Sequence, residues 1–262
     1  MAKVPGDIVW ERARNQGETT LNVDEYQGTE TWNKKIMRWL FLRSLKRAKK
    51  VIAPSRHLAE MIATWGIPRS HITVIRNGVD LSFFVTQEAK GEYDFDLITI
   101  CRLTPWKGVD EIIIEAAKRD LRLCVVGSGP DEARLKNLAS HLKANVIFKG
   151  ERDQKELLGD LRSAQIFILN SSYEGSPHAL IEAMAVEKLV IARDSTGSRE
   201  LIDDLETGIL SGGVRTLGEA IDKAQNLGKS QDAIINAARS KIVASYDRDK
   251  LFERILDIVS NS

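Results

Sequence analysis

The chain has 262 residues, of which 43% are hydrophobic and 29% charged, with a formal net charge of +1. These proportions exclude a disordered chain and indicate an ordinary globular protein. No apolar run approaches the roughly 20 residues that span a bilayer. The start of the chain lacks the apolar core of a signal peptide, which predicts a cytoplasmic protein. Cys101 and Cys124 lie in apolar runs and are predicted to be buried hydrophobic residues, not a disulfide or a metal site.

The first stretch that indicates structure is residues 4–14, which predicts the end of a strand, a turn and a short helix. A longer helix is predicted over residues 31–50, which contain eight basic residues and no acidic one. Its predicted apolar stripe consists of Ile36, Met37, Leu40, Phe41 and Ala48.

Three interpretations of the helix at 31–50 remain open. The first is a helix whose stripe packs on a sheet and whose basic face is solvated. The second is peripheral contact with the inner face of an anionic membrane. Nucleic acid is the least favoured, because no interleaved aromatic residues or recognition motif accompany the charge.

Residues 51–94 predict two further strands and a linker. A strand at 51–53 leads to Ser55, which is predicted to cap a helix over 57–65. A strand at 72–75 ends in a passage rich in turn residues, and the mixed, polar residues 81–94 are typical of a linker.

From residue 95 onward, apolar strands alternate regularly with helices. The strands are predicted at 97–101, 123–126, 146–148, 166–169 and 189–192, with a short one near 209–210. The helices are predicted near 108–118, 131–142, 153–162, 179–187 and 216–228. This alternation predicts an α/β fold with a doubly wound parallel sheet.

One stretch of this sheet carries the strongest functional signal. After the apolar run 166–169, Glu174 precedes a turn with Gly175 and Pro177, and Glu182 lies about one turn inside the next helix. The start of such a helix faces the crevice at the carboxyl ends of the strands, where anionic ligands bind. An ordinary solvated helix start with nearby acidic residues explains the same spacing.

The arrangement of Glu174, seven residues and Glu182 resembles the donor-site signature of retaining glycosyltransferases of family 4, which have the two-domain GT-B fold. The resemblance implies that Glu174 contacts the donor sugar and that Glu182 accepts hydrogen bonds from the ribose hydroxyls. It also implies that the residues between them line the donor site, namely Gly175, Ser176, Pro177, His178 and Ala179.

Three further motifs resemble that family. Arg102 and Lys107 follow the first strand of the sheet and suit a diphosphate leaving group, although a salt-bridged surface loop is the alternative. Gly127 and Gly129 form a Gly-x-Gly-Pro turn that either lines the nucleotide crevice or is purely structural. Arg152 follows the third strand, where the base rests against the backbone in similar enzymes.

The resemblance implies a domain order. Residues 1–85 are expected to be the end of the acceptor-side domain with the linker, 86–244 the nucleotide-sugar donor-binding domain, and 245–262 a closing helix that returns to the N-terminal part. Most of the acceptor-side domain is then expected to be absent. The apolar face of the closing helix (Leu251, Ile255 and Ile258) is therefore expected to need another partner, such as a second chain or an oligomer.

The implied reaction is transfer of a sugar from a nucleotide diphosphate donor to a glycan or lipid-linked acceptor, with retention. A UDP-sugar is favoured and a GDP-sugar comes next. No cofactor or metal is expected, because Arg102, Lys107 and the helix start supply positive charge and no Asp-x-Asp motif is present. Two alternatives remain, a nucleotide-sugar-binding subunit that needs a second chain and an unrelated Rossmann dehydrogenase. Glu132 stands at the third glycine position of the dinucleotide fingerprint, which argues against the dehydrogenase.

Overall fold

The computed structural model describes residues 1–85 and 93–260, so residues 86–92 of the predicted linker, with the predicted boundary at 85/86, lie outside the described residues. The strands are β1 (Ala2–Lys3), β2 (Val51–Ala53), β3 (Ile72–Val74), β4 (Phe95–Ile100), β5 (Leu123–Val126), β6 (Val146–Gly150), β7 (Ala164–Leu169), β8 (Leu189–Arg193) and β9 (Ile209–Ser211). The helices are α1 (Ile8–Asn15), α2 (Val23–Tyr26), α3 (Trp32–Leu45), α4 (Arg56–Thr64), α5 (Leu81–Val85), α6 (Val109–Lys118), α7 (Glu132–His141), α8 (Gln154–Arg162), α9 (His178–Ala185), α10 (Thr196–Arg199), α11 (Leu217–Gln225), α12 (Ser230–Ser245) and α13 (Arg248–Ser260). None of these helices is long and apolar enough to cross a membrane.

The described chain divides into two units, of which the first contains Met1–Asn77, Tyr173–Ser176 and the chain from Asp249 to its described end. Its parallel sheet has the order β1-β2-β3. Ser55 caps α4, as predicted, by accepting a hydrogen bond from the Leu58 backbone N–H at 3.2 Å.

The apolar face of α13 is packed inside this unit. Leu251 is buried against Ile52 and Ile75, and Ile255 and Ile258 pack on the same cluster. The expectation that this face needs another partner was therefore wrong. The contacts come from β2 and from the residue after β3, which supply enough apolar surface to cover the helix.

Helix α3 is turned differently from the prediction. Lys34 is only 7% exposed and pairs with Glu18 at 3.3 Å, while Ile36 and Leu40 of the predicted stripe lie in solvent. Arg38 also points inward, where it pairs with the buried Glu30. Ion pairing with residues that precede the helix therefore helps to decide which side faces the unit. The predicted stripe was wrong for Ile36 and Leu40, whereas Met37, Phe41 and Ala48 are half-buried.

Arg38 has a second acidic partner in the first unit, Asp7, which is fully buried. One carboxylate oxygen accepts from the backbone N–H groups of Val9 and Trp10 and so caps α1. The other accepts from Arg38 Nη2 at 2.9 Å and from Gln27 Nε2 at 2.8 Å. A buried charge that is capped, paired and hydrogen-bonded in this way holds three segments together.

The second unit comprises the described parts of Gly78–Ser172 and Pro177–Arg248. Its six strands are all parallel and have the order β6-β5-β4-β7-β8-β9. Alternate strand residues enter two separate cores, one with α8, α9 and α12 and the other with α6, α7 and α11. Helices cover both faces, which confirms the predicted doubly wound α/β sheet.

Most predicted elements of this unit are present within a few residues of their predicted ends. Helix α12 is an exception, because nothing in the sequence analysis places a helix there. Cys124 is buried as predicted, whereas Cys101 is half-buried and lines the cavity described below. Cys101 is less buried than predicted because it lies one residue beyond the end of β4, although it still packs against one of the two cores.

Candidate functional site

The strand order of the second unit reverses between β4 and β7. From β4 the chain winds outward through β5 to β6, and from β7 it winds the other way through β8 to β9. Ligands of open α/β sheets bind outside the carboxyl ends of the strands at such a switch point. The loop after β4 and the start of α9 both lie at this place.

A cavity of about 700 Å³ opens along this edge of the sheet. Its lining includes residues from the ends of β4, β5 and β6 and from the first turns of α9. Among the predicted donor-site residues, the cavity is lined by Arg102, Gly127, Gly129, Arg152, His178, Ala179 and Glu182.

The first turn of α9 forms one wall of the cavity. Pro177 stands at its N-cap position, and its side chain caps none of the first N–H groups of the helix. The N-terminus of a helix carries a partial positive charge and free N–H donors. Together with the exposed Arg102, this wall favours an anionic ligand.

Glu182 lies one turn inside α9, half-buried in the wall of the cavity. Burial raises the pKa of its carboxyl from 4.5 to about 7, because the charged form loses solvation. A carboxylate that ionises near neutral pH in a cavity is a common feature of functional sites. Its chemistry suits hydroxyl donors, from which a carboxylate accepts strongly.

The two glycines of the β5 loop let the backbone come close to the β4 loop. Gly127 has a φ of +122°, and a Cβ at this position would lie 2.0 Å from the carbonyl oxygen of Cys101. A Cβ at Gly129 would lie 2.2 Å from that of Leu103. Packing therefore requires both glycines, and both also line the cavity, so the structural and the ligand-binding interpretations of this turn are compatible.

The other predicted site residues do not line the cavity as the structure describes it. Lys107 ends the short 3-10 turn Pro105–Lys107, after which Gly108 adopts a left-handed conformation. Glu174, Gly175 and Ser176 belong to the first unit, where Gly175 lies close to the backbone of Pro5. Their predicted roles, like those of the lining residues, stay predictions.

Sequence reasoning missed a polar network beside the switch point. The buried Asn170, directly after β7, donates through Nδ2 to the carbonyl oxygen of Gly108 at 3.0 Å and to Glu111 Oε2 at 2.8 Å. Arg193, at the end of β8, pairs with the same Glu111 oxygen at 3.3 Å. This network ties the start of α6 to the ends of β7 and β8. A polar residue directly after an apolar run was its only signal in the sequence.

A second missed contact joins the ends of β5 and β6. The hydroxyl of Ser128 donates to Glu151 Oε1 at 2.5 Å, and both residues line the cavity. Nearby, Arg152 pairs with Glu156 at 3.1 Å and with Asp160 at 3.2 Å. In the part of the chain that the structure describes, this site included, no group of His, Cys, Asp and Glu side chains is arranged to hold a metal ion.

Comparison with known families identifies the chain. The family described as glycosyl transferases group 1 matches residues 83–241, which is more than half of the chain. The chain belongs to this family. A second model, glycosyltransferase family 4, matches residues 20–83. The resemblance to family 4 enzymes in the sequence is thereby confirmed.

Curated relatives are glycosyltransferases by name. A GDP-mannose-dependent alpha-mannosyltransferase of Mycobacterium tuberculosis is 34% identical over 182 residues, which is 66% of this chain and 46% of the relative. The putative colanic acid biosynthesis glycosyltransferase WcaL of Escherichia coli is 28% identical over 215 residues, covering 74% of this chain and 52% of WcaL. The chain spans about half the length of the curated relatives it matches.

Solved structures show the same fold. Anabaena HepE in complex with UDP-glucose superposes with a TM-score of 0.78 at 20% identity, covering 86% of this chain and 67% of HepE. Sucrose-phosphate synthase of Thermosynechococcus elongatus gives 0.77 at 19% identity, covering 97% of this chain and 71% of the synthase. The fold class predicted from the sequence, a GT-B type α/β fold, is confirmed.

Proposed function

We propose that this chain carries the donor-binding part of a retaining glycosyltransferase, which transfers a sugar from a nucleotide diphosphate donor to a glycan or lipid-linked acceptor. The observation that carries the proposal is the cavity at the switch point, which brings together Arg102, the start of α9 and Glu182. The six-stranded unit binds the donor, and the first unit belongs to the acceptor-side domain. The match of residues 20–83 to the family 4 model supports that division.

Each side chain has a defined task in this proposal. Arg102 and the N–H groups of α9 hold the diphosphate and stabilise the negative charge that develops as it leaves, with Lys107 as a second cation. Glu182 accepts hydrogen bonds from the ribose hydroxyls. Glu174 orients the donor sugar. The proposal that the configuration of the anomeric carbon is retained rests on the resemblance to family 4 enzymes.

Calorimetric titration of the chain with GDP, UDP and ADP tests the donor site. We expect saturable binding of at least one diphosphate and binding that is about 10- to 100-fold weaker in Arg102→Gln, because hydrogen bonds to a charged group contribute roughly 1.5–3 kcal/mol. Arg254→Gln removes an exposed arginine of α13 that does not line the cavity, and should bind as the unaltered chain does. A folded chain that binds none of the three nucleotides would refute the proposal.

We also propose that α3 lies on the surface of an anionic membrane. Trp32, Ile36, Trp39 and Leu40 share one side of this helix, and the two tryptophans are 75% and 58% exposed. The guanidinium of Arg43 lies 5.4 Å from the ring centroid of Trp39. Exposed aromatic and aliphatic side chains beside cations are typical of helices that lie in the lipid interface.

Sedimentation with lipid vesicles tests this surface. The chain should sediment with vesicles of phosphatidylcholine mixed with phosphatidylglycerol and remain in solution with pure phosphatidylcholine. Arg43→Gln should weaken binding several-fold, since each cation near an anionic surface contributes about 1 kcal/mol, and Trp39→Ala should weaken it further. Sedimentation that is the same for both lipids would refute the membrane proposal. If the molecular mass in solution instead doubles as the protein concentration is raised, and Trp39→Ala returns it to that of the monomer, the partner of this surface is a second copy of the chain.

A further inference from the structure

The order of the residues that line the cavity follows from the order of the strands in the sheet. Along the carboxyl edge, Glu151 follows β6, Ser128 follows β5, Arg102 follows β4, and α9 follows β7. Neighbouring strands lie about 4.8 Å apart, so the cavity extends over roughly 14 Å from β6 to β7. That length accommodates an extended nucleotide.

The two ends of the cavity differ in charge. The β4 and β7 end has Arg102 and the positive N-terminus of α9, with the Glu182 carboxyl one turn inside that helix. The β6 end has the Glu151 carboxylate, and the cations Arg152 and Lys149 there are paired, Arg152 with Glu156 and Asp160 and Lys149 with Asp160. Arg102 and the helix N-terminus attract a diphosphate to the first end and Glu151 disfavours it at the second, so a nucleotide bound in the cavity is expected to have its base toward β6.

The Glu151 carboxylate is exposed at the cavity and is oriented by one hydrogen bond. It accepts a hydrogen bond from the Ser128 hydroxyl, and the carbonyl oxygen of Ser128 accepts one from the Leu103 N–H at 2.8 Å. The close approach of Gly129 to Leu103 fixes the same loop. A carboxylate has about four acceptor positions, and the Ser128 hydroxyl occupies one of them. The others are available to a ligand in the cavity.

We propose that Glu151, positioned by Ser128, selects guanine, so that the donor is a guanosine diphosphate sugar. Guanine presents two adjacent donors, its N1–H and its exocyclic amine, which match the two oxygens of a carboxylate. Uracil presents one N–H between two carbonyl oxygens, which repel a carboxylate, and adenine presents its exocyclic amine beside the unprotonated N1, which also repels one. This selection rests on the proposed donor site and reverses the order expected from the sequence, which placed UDP first.

Competition between nucleotides tests the selection on the unaltered chain. Inosine diphosphate differs from GDP only by lacking the exocyclic amine, and therefore isolates that contact. We expect GDP to bind about tenfold or more tightly than inosine diphosphate and UDP, because a good bidentate contact to a base edge discriminates by about that factor. Equal affinities for all three would overturn the selection and leave the donor site intact. Absence of binding by all three would overturn the donor site itself, and the selection with it.

Two variants identify the residues responsible. In Glu151→Gln one of the two acceptor oxygens becomes a donor, so GDP binding should fall to the level of inosine diphosphate while UDP binding is kept or improved. Ser128→Ala removes the hydrogen bond that orients the Glu151 carboxylate, so the ratio of GDP affinity to UDP affinity should fall several-fold. Glu206→Gln alters an exposed carboxylate that does not line the cavity and should leave the preference unchanged. Equal weakening of GDP and UDP by Glu151→Gln would show that the side chain contacts the ribose or supports the loop, and would overturn base selection.

Discussion

Glu182 is predicted to destabilise the folded chain above neutral pH. Burial raises its pKa from 4.5 to about 7, a difference of about 2.5 units, and each unit corresponds to about 1.36 kcal/mol. Between these two values the folded state binds more protons than the unfolded state, so the free energy of unfolding falls as the pH rises. This loss of unfolding free energy is absent below pH 4.5 and complete above pH 7, where it is on the order of 3 kcal/mol.

Glu182→Gln removes this titration and resembles the neutral acid in shape. Urea unfolding of both proteins at intervals from pH 4 to pH 9 should show a stability difference that grows in favour of the variant by about 2–3 kcal/mol between pH 4.5 and pH 7 and then stays constant. The same variant should bind nucleotide more weakly at pH 8, because the carboxylate is a stronger acceptor than an amide. Glu206→Gln, an exposed control, should show no such growth. A difference that does not depend on pH would refute the burial argument.

The described contacts lead to predictions for three substitutions and one chemical modification. Gly127→Ala should destabilise the chain by several kcal/mol and abolish nucleotide binding, whereas Gly159→Ala, which fills open space in α8, should stabilise it by about 0.5–1 kcal/mol in thermal unfolding. Asp7→Ala should lower the free energy of unfolding by about 3–5 kcal/mol, because it removes one of the two buried carboxylates that pair with Arg38 and also the side-chain cap of α1. A loss below about 1 kcal/mol would contradict this. Thiol alkylation at pH 8 should modify Cys101, and more slowly when GDP is present, as mass spectrometry can measure. The buried Cys124 should not react, because burial raises its pKa to about 12. Equal modification of both cysteines would contradict the difference in burial.

The sheet of the second unit could be predicted because its central strands β4, β5, β7 and β8 are largely buried on both faces. Each of them contains a short apolar run, and the run at Leu123–Val126 matches β5 at both ends. Motifs directly after such runs then located Arg102 and Glu182. Strand ends and helix starts are local features, so a single sequence contains enough information to place them.

The features that the sequence did not predict depend on contacts between distant residues. The inward side of α3 is decided by Asp7, Glu18 and Glu30, none of which belongs to the helix. The bond between Ser128 and Glu151 joins two loops that become neighbours only when β5 pairs with β6. Helix α12 buries Ile234, Ala238 and Ile242 in a sequence otherwise rich in alanine and polar residues, which gives a weak apolar signal.

The position of Leu251 beside Ile52 and Ile75 has a consequence for synthesis on the ribosome. The strands of the first unit are translated early, but the helix that covers these two isoleucines is translated last among the described elements. At roughly 5–20 residues per second, the interval between Ile75 and Leu251 is on the order of ten seconds. During that time Ile52 and Ile75 lack the helix that covers them, whereas all the segments of the second unit have already been translated. This part of the first unit can therefore complete its core only after the chain of the second unit has been made.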